Sequence, residues 1–181
     1  MKCEYKIIDN LLSESLADNI KGNLIEHKVS NVFPMFQWYY FDSVVSQDIE
    51  NDNLYNWQFT HILYLNGSQT SQHLQLLQPI IDYLNPEAIL KIKANLNPRT
   101  EVRHTFDYHT DFNSKSSDRK TAIYYVNSND GVTILEDGTE IESVANRLVI
   151  FDQKILHTGT TCTDQKVRCV INFNYIEHRD D

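Results

Sequence analysis

From residue 88 onward the chain breaks into short extended segments, 89–96, 101–108, 120–126, 132–135, 140–144, 147–151 and 167–176, and this constrains the fold more than any other feature. Asn97-Pro98, Asn129-Asp130-Gly131 and Asp137-Gly138 read as the turns between them, since Pro fixes φ and Asn, Asp and Gly tolerate tight-turn backbone. Consecutive short strands without intervening helices do not build parallel βαβ units. They close instead into a sandwich or a barrel. The first half of the chain differs. Tyr5-Lys6-Ile7-Ile8-Asp9 reads as a strand, and Ser13 is placed to cap a helix whose stripe is Leu16, Ala17, Ile20, Leu24 and Ile25. Leu74, Leu77, Ile80, Ile81 and Leu84 repeat at helical spacing up to Asn85-Pro86, with Pro79 either kinking that helix or starting a new one. The expected fold class is mainly β with flanking helices: a double-stranded β-helix, or jelly roll, under an N-terminal helical layer.

The chain's 181 residues suit a single domain. The aromatic run from Phe33 to Phe41 reads first as a core strand and second as the wall of a cleft. The polar stretches 47–53 and 113–119 are candidate mobile segments. A formal net charge of −9 disfavours a nucleic-acid partner, which is held through clustered Lys and Arg. The small basic group Lys115, Arg119 and Lys120 reads as a solvated loop. No apolar run is long enough for a membrane span, and the start Met1-Lys2-Cys3-Glu4-Tyr5 has no apolar signal segment, so a cytoplasmic location is expected. Cys3, Cys162 and Cys169 make an odd count without metal-finger spacing and read as packing thiols rather than a disulfide framework.

The chemistry-bearing residues are few. In Tyr108-His109-Thr110-Asp111, His109 and Asp111 stand one apart in an extended segment and so share a face. His157 follows the apolar run Leu148-Val149-Ile150-Phe151, read as the strand that delivers it to a sheet edge. Two imidazoles and one carboxylate with open positions make the facial triad of non-haem Fe(II) sites. The other histidines, His27, His61, His73, His104 and His178, have no matching position and read as surface or core residues. By itself a His-x-Asp pair is more often a hydrogen-bonded strand pair than a metal site.

The ordered set resembles the Fe(II)- and 2-oxoglutarate-dependent dioxygenases, in particular the prolyl-hydroxylase-like branch. It comprises His109-Thr110-Asp111, then Ala122-Ile123-Tyr124-Tyr125-Val126-Asn127, then His157, then Arg168 within Lys166-Val167-Arg168-Cys169-Val170-Ile171. The resemblance implies Fe(II) held by His109, Asp111 and His157. It also implies 2-oxoglutarate bound through its far carboxylate by Arg168, with Tyr125 and Asn97 as further cosubstrate contacts. Asn97 stands where the family often has Tyr, with Asn95 as the alternative. Lys166, two positions before Arg168, is the competing clamp; Arg168 is preferred because its planar fork suits a carboxylate. The implied activity is hydroxylation coupled to decarboxylation of 2-oxoglutarate to succinate and CO2 by O2, with ascorbate admissible as a reductant. Residues 1–87 would then supply the N-terminal strand, helices and substrate-side strands, and 88–176 the β-roll core. The partner is a small-molecule cosubstrate together with a protein, peptide or small-molecule substrate, a protein prolyl or other side chain being favoured by the branch alone. A non-catalytic metal- or ligand-binding β-roll and a Zn(II) hydrolase with the same ligands are the alternatives. Neither needs a carboxylate clamp.

Overall fold

The computed structural model describes residues 2–26, 35–44, 54–111 and 118–178. Two antiparallel sheets face each other. The larger takes the order β1 (Tyr5–Ile8), β9 (Arg147–Asp152), β6 (Arg119–Tyr125), β11 (Val167–Glu177), β5 (Pro86–Pro98), β3 (Gln58–Leu65) and β2 (Tyr39–Phe41), with β4 (Ser68–Gln69) hairpinned onto β3. The smaller runs β10 (His157–Gly159), β7 (Asn129–Leu135), β8 (Glu140–Ser143). The segment around Thr105 and His109 extends it through bridges to Thr160 and His157. This is the expected jelly roll.

Strand alternation divides the large sheet into two faces. One face presents Ile92 and Ala94 of β5, Ala122 and Tyr124 of β6, and Cys169, Ile171 and Phe173 of β11. Ile20 and Leu24 from α1 (Glu14–Lys21) and the turn after it pack there, with Ile80 of α2 (Gln78–Leu84). The other face looks into the roll and changes character along the sheet. At the β9–β6 end it is apolar, where Ile123, Tyr125, Val149 and Phe151 pack against Leu135 and Ile141 of the small sheet. At the β11–β5 end the inward rows are Arg168, Val170, Asn172, Asn174 and Lys91, Lys93, Asn95, Asn97. An apolar outer face with a polar inner one is the layout of a strand that lines a site rather than a core.

Several sequence expectations are corrected. Ser13 occupies the helix start, but its hydroxyl meets Ser15 at 3.2 Å and caps no backbone N–H; its carbonyl takes Leu16 and Ala17. Leu16 is exposed, while Ile20 and Leu24 of that stripe are buried against the sheet and Ile25 packs beside them. Of the two roles left open for Pro79 the structure takes the second, starting a new helix: a 3-10 turn over Gln72–Leu77 precedes α2, in which Pro lies in the first turn, where its missing N–H costs nothing. Residues 101–108 form no regular strand. Asn97-Pro98 is no turn, since β5 pairs with β11 as far as Pro98↔Val167. Asn129-Asp130-Gly131 lies inside β7, where the register shifts between Asn129 and Val132. Tyr39, Tyr40 and Phe41 form an exposed edge strand, not core. Phe33 and the proposed mobile stretch 47–53 lie outside the described residues, as do 113–117 of the second one. No described helix is long and apolar enough to cross a membrane.

Candidate active site

His157 does not ride on the apolar strand that precedes it. That strand, β9, belongs to the large sheet, whereas His157 opens β10 of the small one. Its backbone pairs with His109 through two reciprocal hydrogen bonds, His109 N to His157 O and His157 N to His109 O, each 3.0 Å. Residues that exchange both bonds stand opposite one another with their side chains on one side. The imidazoles accordingly come to 4.7 Å between centroids. Asp111 lies just beyond, and one ligand atom from each of His109, Asp111 and His157 falls within 4.8 Å of the other two.

Each of the three is oriented from behind. The Nδ1 of His109 faces the Asp107 carbonyl at 3.3 Å and the Nδ1 of His157 faces the Ile155 carbonyl at 3.1 Å. A carbonyl can only accept, so both Nδ1 atoms carry the proton and both Nε2 lone pairs are free for a metal. The Nε2 of His157 is buried without a hydrogen-bond partner and stands 3.8 Å from an Asp111 oxygen. Asp111 accepts from Thr121 Oγ1 at 2.9 Å and Asn174 Nδ2 at 2.8 Å, and Lys91 Nζ lies 3.8 Å from its other oxygen. Burial alone would raise the Asp111 pKa. His157, Lys91, the Asn174 hydrogen bond and His109 together outweigh it and hold the carboxyl at about 2. Burial, reinforced by His157, pushes His109 below the ordinary imidazole value. An ionised carboxylate beside an imidazole kept neutral is a donor set suited to a divalent ion, so the residues fit Fe(II).

Arg168 borders the same cavity. It is 3% exposed, and its guanidinium donates from Nε to Ser143 Oγ and from Nη2 to Thr133 Oγ1, both at 3.0 Å. Among the described residues no carboxylate pairs with it, and burial pulls its pKa down. A buried cation without an anion is costly unless a ligand supplies one. Lys166 is exposed in the turn before β11. Asn97 is cross-strand neighbour to Arg168, is 3% exposed, and its side-chain Nδ2 has no acceptor. Tyr125 is fully buried off the cavity wall. Its hydroxyl donates to Thr133 Oγ1 at 2.8 Å, and its ring lies 5.9 Å from the Arg168 guanidinium. The phenol therefore braces Thr133. Having accepted from Tyr125 and Arg168, the Thr133 hydroxyl keeps one proton to donate into the cavity.

Thr133, Ser143, Thr121, Asn174, Lys91 and Lys93 are not singled out by any motif. For Lys91, Lys93 and Asn174 the signal is the alternation Lys91-x-Lys93-x-Asn95-x-Asn97 and Arg168-x-x-x-Asn172-x-Asn174 within otherwise apolar strands, whereas Thr121, Thr133 and Ser143 carry none. His104 stacks on Tyr55 at 3.7 Å, apart from the ligand group, and His61 packs on Phe36.

No family model matches the chain, and no curated protein sequence does. Solved structures do. A prolyl hydroxylase from Trichoplax adhaerens, in complex with a hypoxia inducible factor oxygen degradation domain peptide, is 16% identical with a TM-score of 0.65, over 96% of this chain and 83% of that one. SnoN, a non-heme alpha ketoglutarate dependent epimerase from nogalamycin biosynthesis, is 11% identical with a TM-score of 0.63, over 97% of this chain and 79% of that one. A Pseudomonas putida prolyl-4-hydroxylase is 14% identical with a TM-score of 0.59, over 97% and 94%. At these identities the likeness is one of architecture, and the chain has the jelly-roll fold shared by prolyl hydroxylases and other 2-oxoglutarate–Fe(II) oxygenases.

Proposed function

We propose that the protein is an Fe(II)- and 2-oxoglutarate-dependent oxygenase that hydroxylates its substrate, with a protein prolyl or other side chain favoured. The observation that carries this reading is Arg168, a buried guanidinium that no carboxylate pairs with among the described residues, on the cavity that also holds the His109, Asp111 and His157 ligand atoms. A metal site alone would suit a hydrolase, but a hydrolase has no use for that cation. Three free cysteines fit a reducing compartment, and we place the protein in the cytosol on that ground.

His109, Asp111 and His157 would hold the ion, and Thr121 and Asn174 fix the rotation of the Asp111 carboxylate. Bound Fe(II) supplies the reaction of O2 with 2-oxoglutarate that yields succinate, CO2 and one oxygen atom inserted into the substrate. Two neutral imidazoles and one carboxylate leave the ion with a net charge of about +1, which favours an anionic chelator. Arg168 would take the far carboxylate through the guanidinium N–H groups that Ser143 and Thr133 leave free, and the remaining Thr133 proton would add a hydrogen bond. The Nδ2 of Asn97 offers one more. Ile123 and Val170 line the cavity between these groups and exclude water from the aliphatic part of the cosubstrate.

The test is anaerobic reconstitution with Fe(II). Adding 2-oxoglutarate should produce a metal-to-ligand absorption band, and admitting O2 should release succinate. His157→Ala should lose both while keeping the wild-type circular dichroism. Succinate formation by that variant at the wild-type rate would refute the assignment.

A further inference from the structure

Beside the metal ligands the cavity carries a second cation, and the cosubstrate has no charge left for it. The two carboxylates of 2-oxoglutarate are matched by the net charge of the ion and by Arg168. Lys91 is directed at the metal ligands, 3.8 Å from Asp111, whose one charge is already counted in that of the ion. Lys93, one turn of the pleat further along the inner face of β5, lines the cavity and makes no ion pair among the described residues. Two acceptors flank it. Asn172 is its cross-strand neighbour on β11 and Asn95 lies two residues on along β5. Asn172 is 8% exposed and Asn95 7%, and the side-chain oxygen of each is buried without a donor among the described residues. Such atoms cost free energy when left unpaired, so two of them beside an unpaired ammonium on one cavity mark a ligand position. The site is also open on that side: Lys93 pairs across to Ile62 of β3, which is 39% exposed.

We infer that Lys93, Asn95 and Asn172 anchor the primary substrate, and that this substrate presents a carboxylate next to an N–H or O–H donor, as a free α-amino acid or the C-terminus of a peptide does. The inference rests on the oxygenase reading and narrows its substrate class. Lys93 takes the carboxylate, the two amide oxygens take the donor, and the body of the substrate leaves over Ile62.

The test uses the full chain loaded with Zn(II) and 2-oxoglutarate, which binds without turnover. The probes are the free L-amino acids and a set of tripeptides, each compared with its C-terminal primary amide by saturation-transfer NMR and calorimetry. At least one carboxylate should bind about tenfold or more tighter than its amide, the worth of one hydrogen-bonded charge. Which set responds tells a free amino acid from a peptide. Lys93→Met should abolish that preference, Lys93→Arg should keep it, and 2-oxoglutarate affinity should stay within about twofold in both. Lys93→Gln serves as the second neutral variant if Lys93→Met does not fold. Equal affinity of acid and amide, absence of binding by every probe, or a parallel loss of 2-oxoglutarate affinity in Lys93→Met would overturn the inference. The same pairs are measured without 2-oxoglutarate, so a wild type that takes up no cosubstrate would sink the oxygenase reading while the carboxylate preference is still decided.

Discussion

At the scale of single residues the site depends on unequal treatment of cations. Arg168 is buried with hydroxyl partners only, and removing it strands whatever carboxylate binds there, a loss of about 3–5 kcal/mol when one partner of a buried pair goes. Arg168→Ala should therefore weaken 2-oxoglutarate binding by at least about a hundredfold, measured by anaerobic titration of the Fe(II) protein. Lys166→Ala, at an exposed position, should change it by less than about fivefold, since surface pairs are worth at most about 1 kcal/mol. Tyr125→Phe loses the bond to Thr133, not one to the cosubstrate; it should cost about 1 kcal/mol of stability and less than about tenfold in affinity. Lys93 supplies a pH dependence. Burial, then the charge of Lys91, pull its ammonium down to about 8, with Asp111 opposing. The protonated form is the one that attracts an anion, so affinity for a carboxylate probe should fall as pH rises through about 8 and beyond. Affinity for the corresponding amide should stay level, and a level profile for both would remove Lys93 from the contact.

At the scale of elements, β7 is shaped around the Arg168 side chain. A Cβ at Gly131 would stand 2.6 Å from Arg168 Cδ and 2.9 Å from the Thr161 carbonyl, so the strand passes there only without a side chain. Gly131→Ala should displace the guanidinium, costing about 1–3 kcal/mol of stability by overpacking and at least about tenfold in 2-oxoglutarate affinity. Gly138, in the β7–β8 turn, makes a control. Its φ is +84° and nothing lies within 4 Å of an added Cβ, so Gly138→Ala should strain the turn and lower the melting temperature with 2-oxoglutarate affinity unchanged. Parallel losses of affinity in the two variants would mean that general destabilisation, not the position of Arg168, is being read.

At the scale of the whole molecule, the buried polar groups around the cavity are a thermodynamic cost. A buried guanidinium, an imidazole nitrogen without a partner, and orphan amide atoms at Asn95, Asn97 and Asn172 all weaken the free protein. On the proposed function, metal and 2-oxoglutarate should bind only the folded chain and raise its melting temperature in a concentration-dependent way. Arg168→Met exchanges the buried charge for an apolar chain of similar length. It should leave the metal-free protein as stable as wild type or more so, while losing the shift caused by 2-oxoglutarate. Calorimetric scans with and without ligand compare the two, and a destabilised Arg168→Met would show that Ser143 and Thr133 compensate the charge fully.

The sequence by itself determined the class of fold, because turn residues between short apolar segments leave few arrangements other than a β-roll. It also singled out His109, Asp111, His157 and, through the family resemblance, Arg168, and the structure brings all four to one cavity. Helix caps and boundaries were less legible: Ser13, Leu16 and Pro79 satisfy local propensities, and only packing on the sheet decides which of them is used. The strand that carries His157 was hidden because three residues, His157–Gly159, are too few to show a period. Its pairing with His109, 48 positions away in the chain, is a long-range contact that no local pattern encodes. The same holds for Thr121 and Asn174 on Asp111 and for Thr133 and Ser143 on Arg168. Each is an ordinary polar residue on its own strand, and it becomes part of a site only when strands distant in sequence bring it within hydrogen-bond reach of a charge.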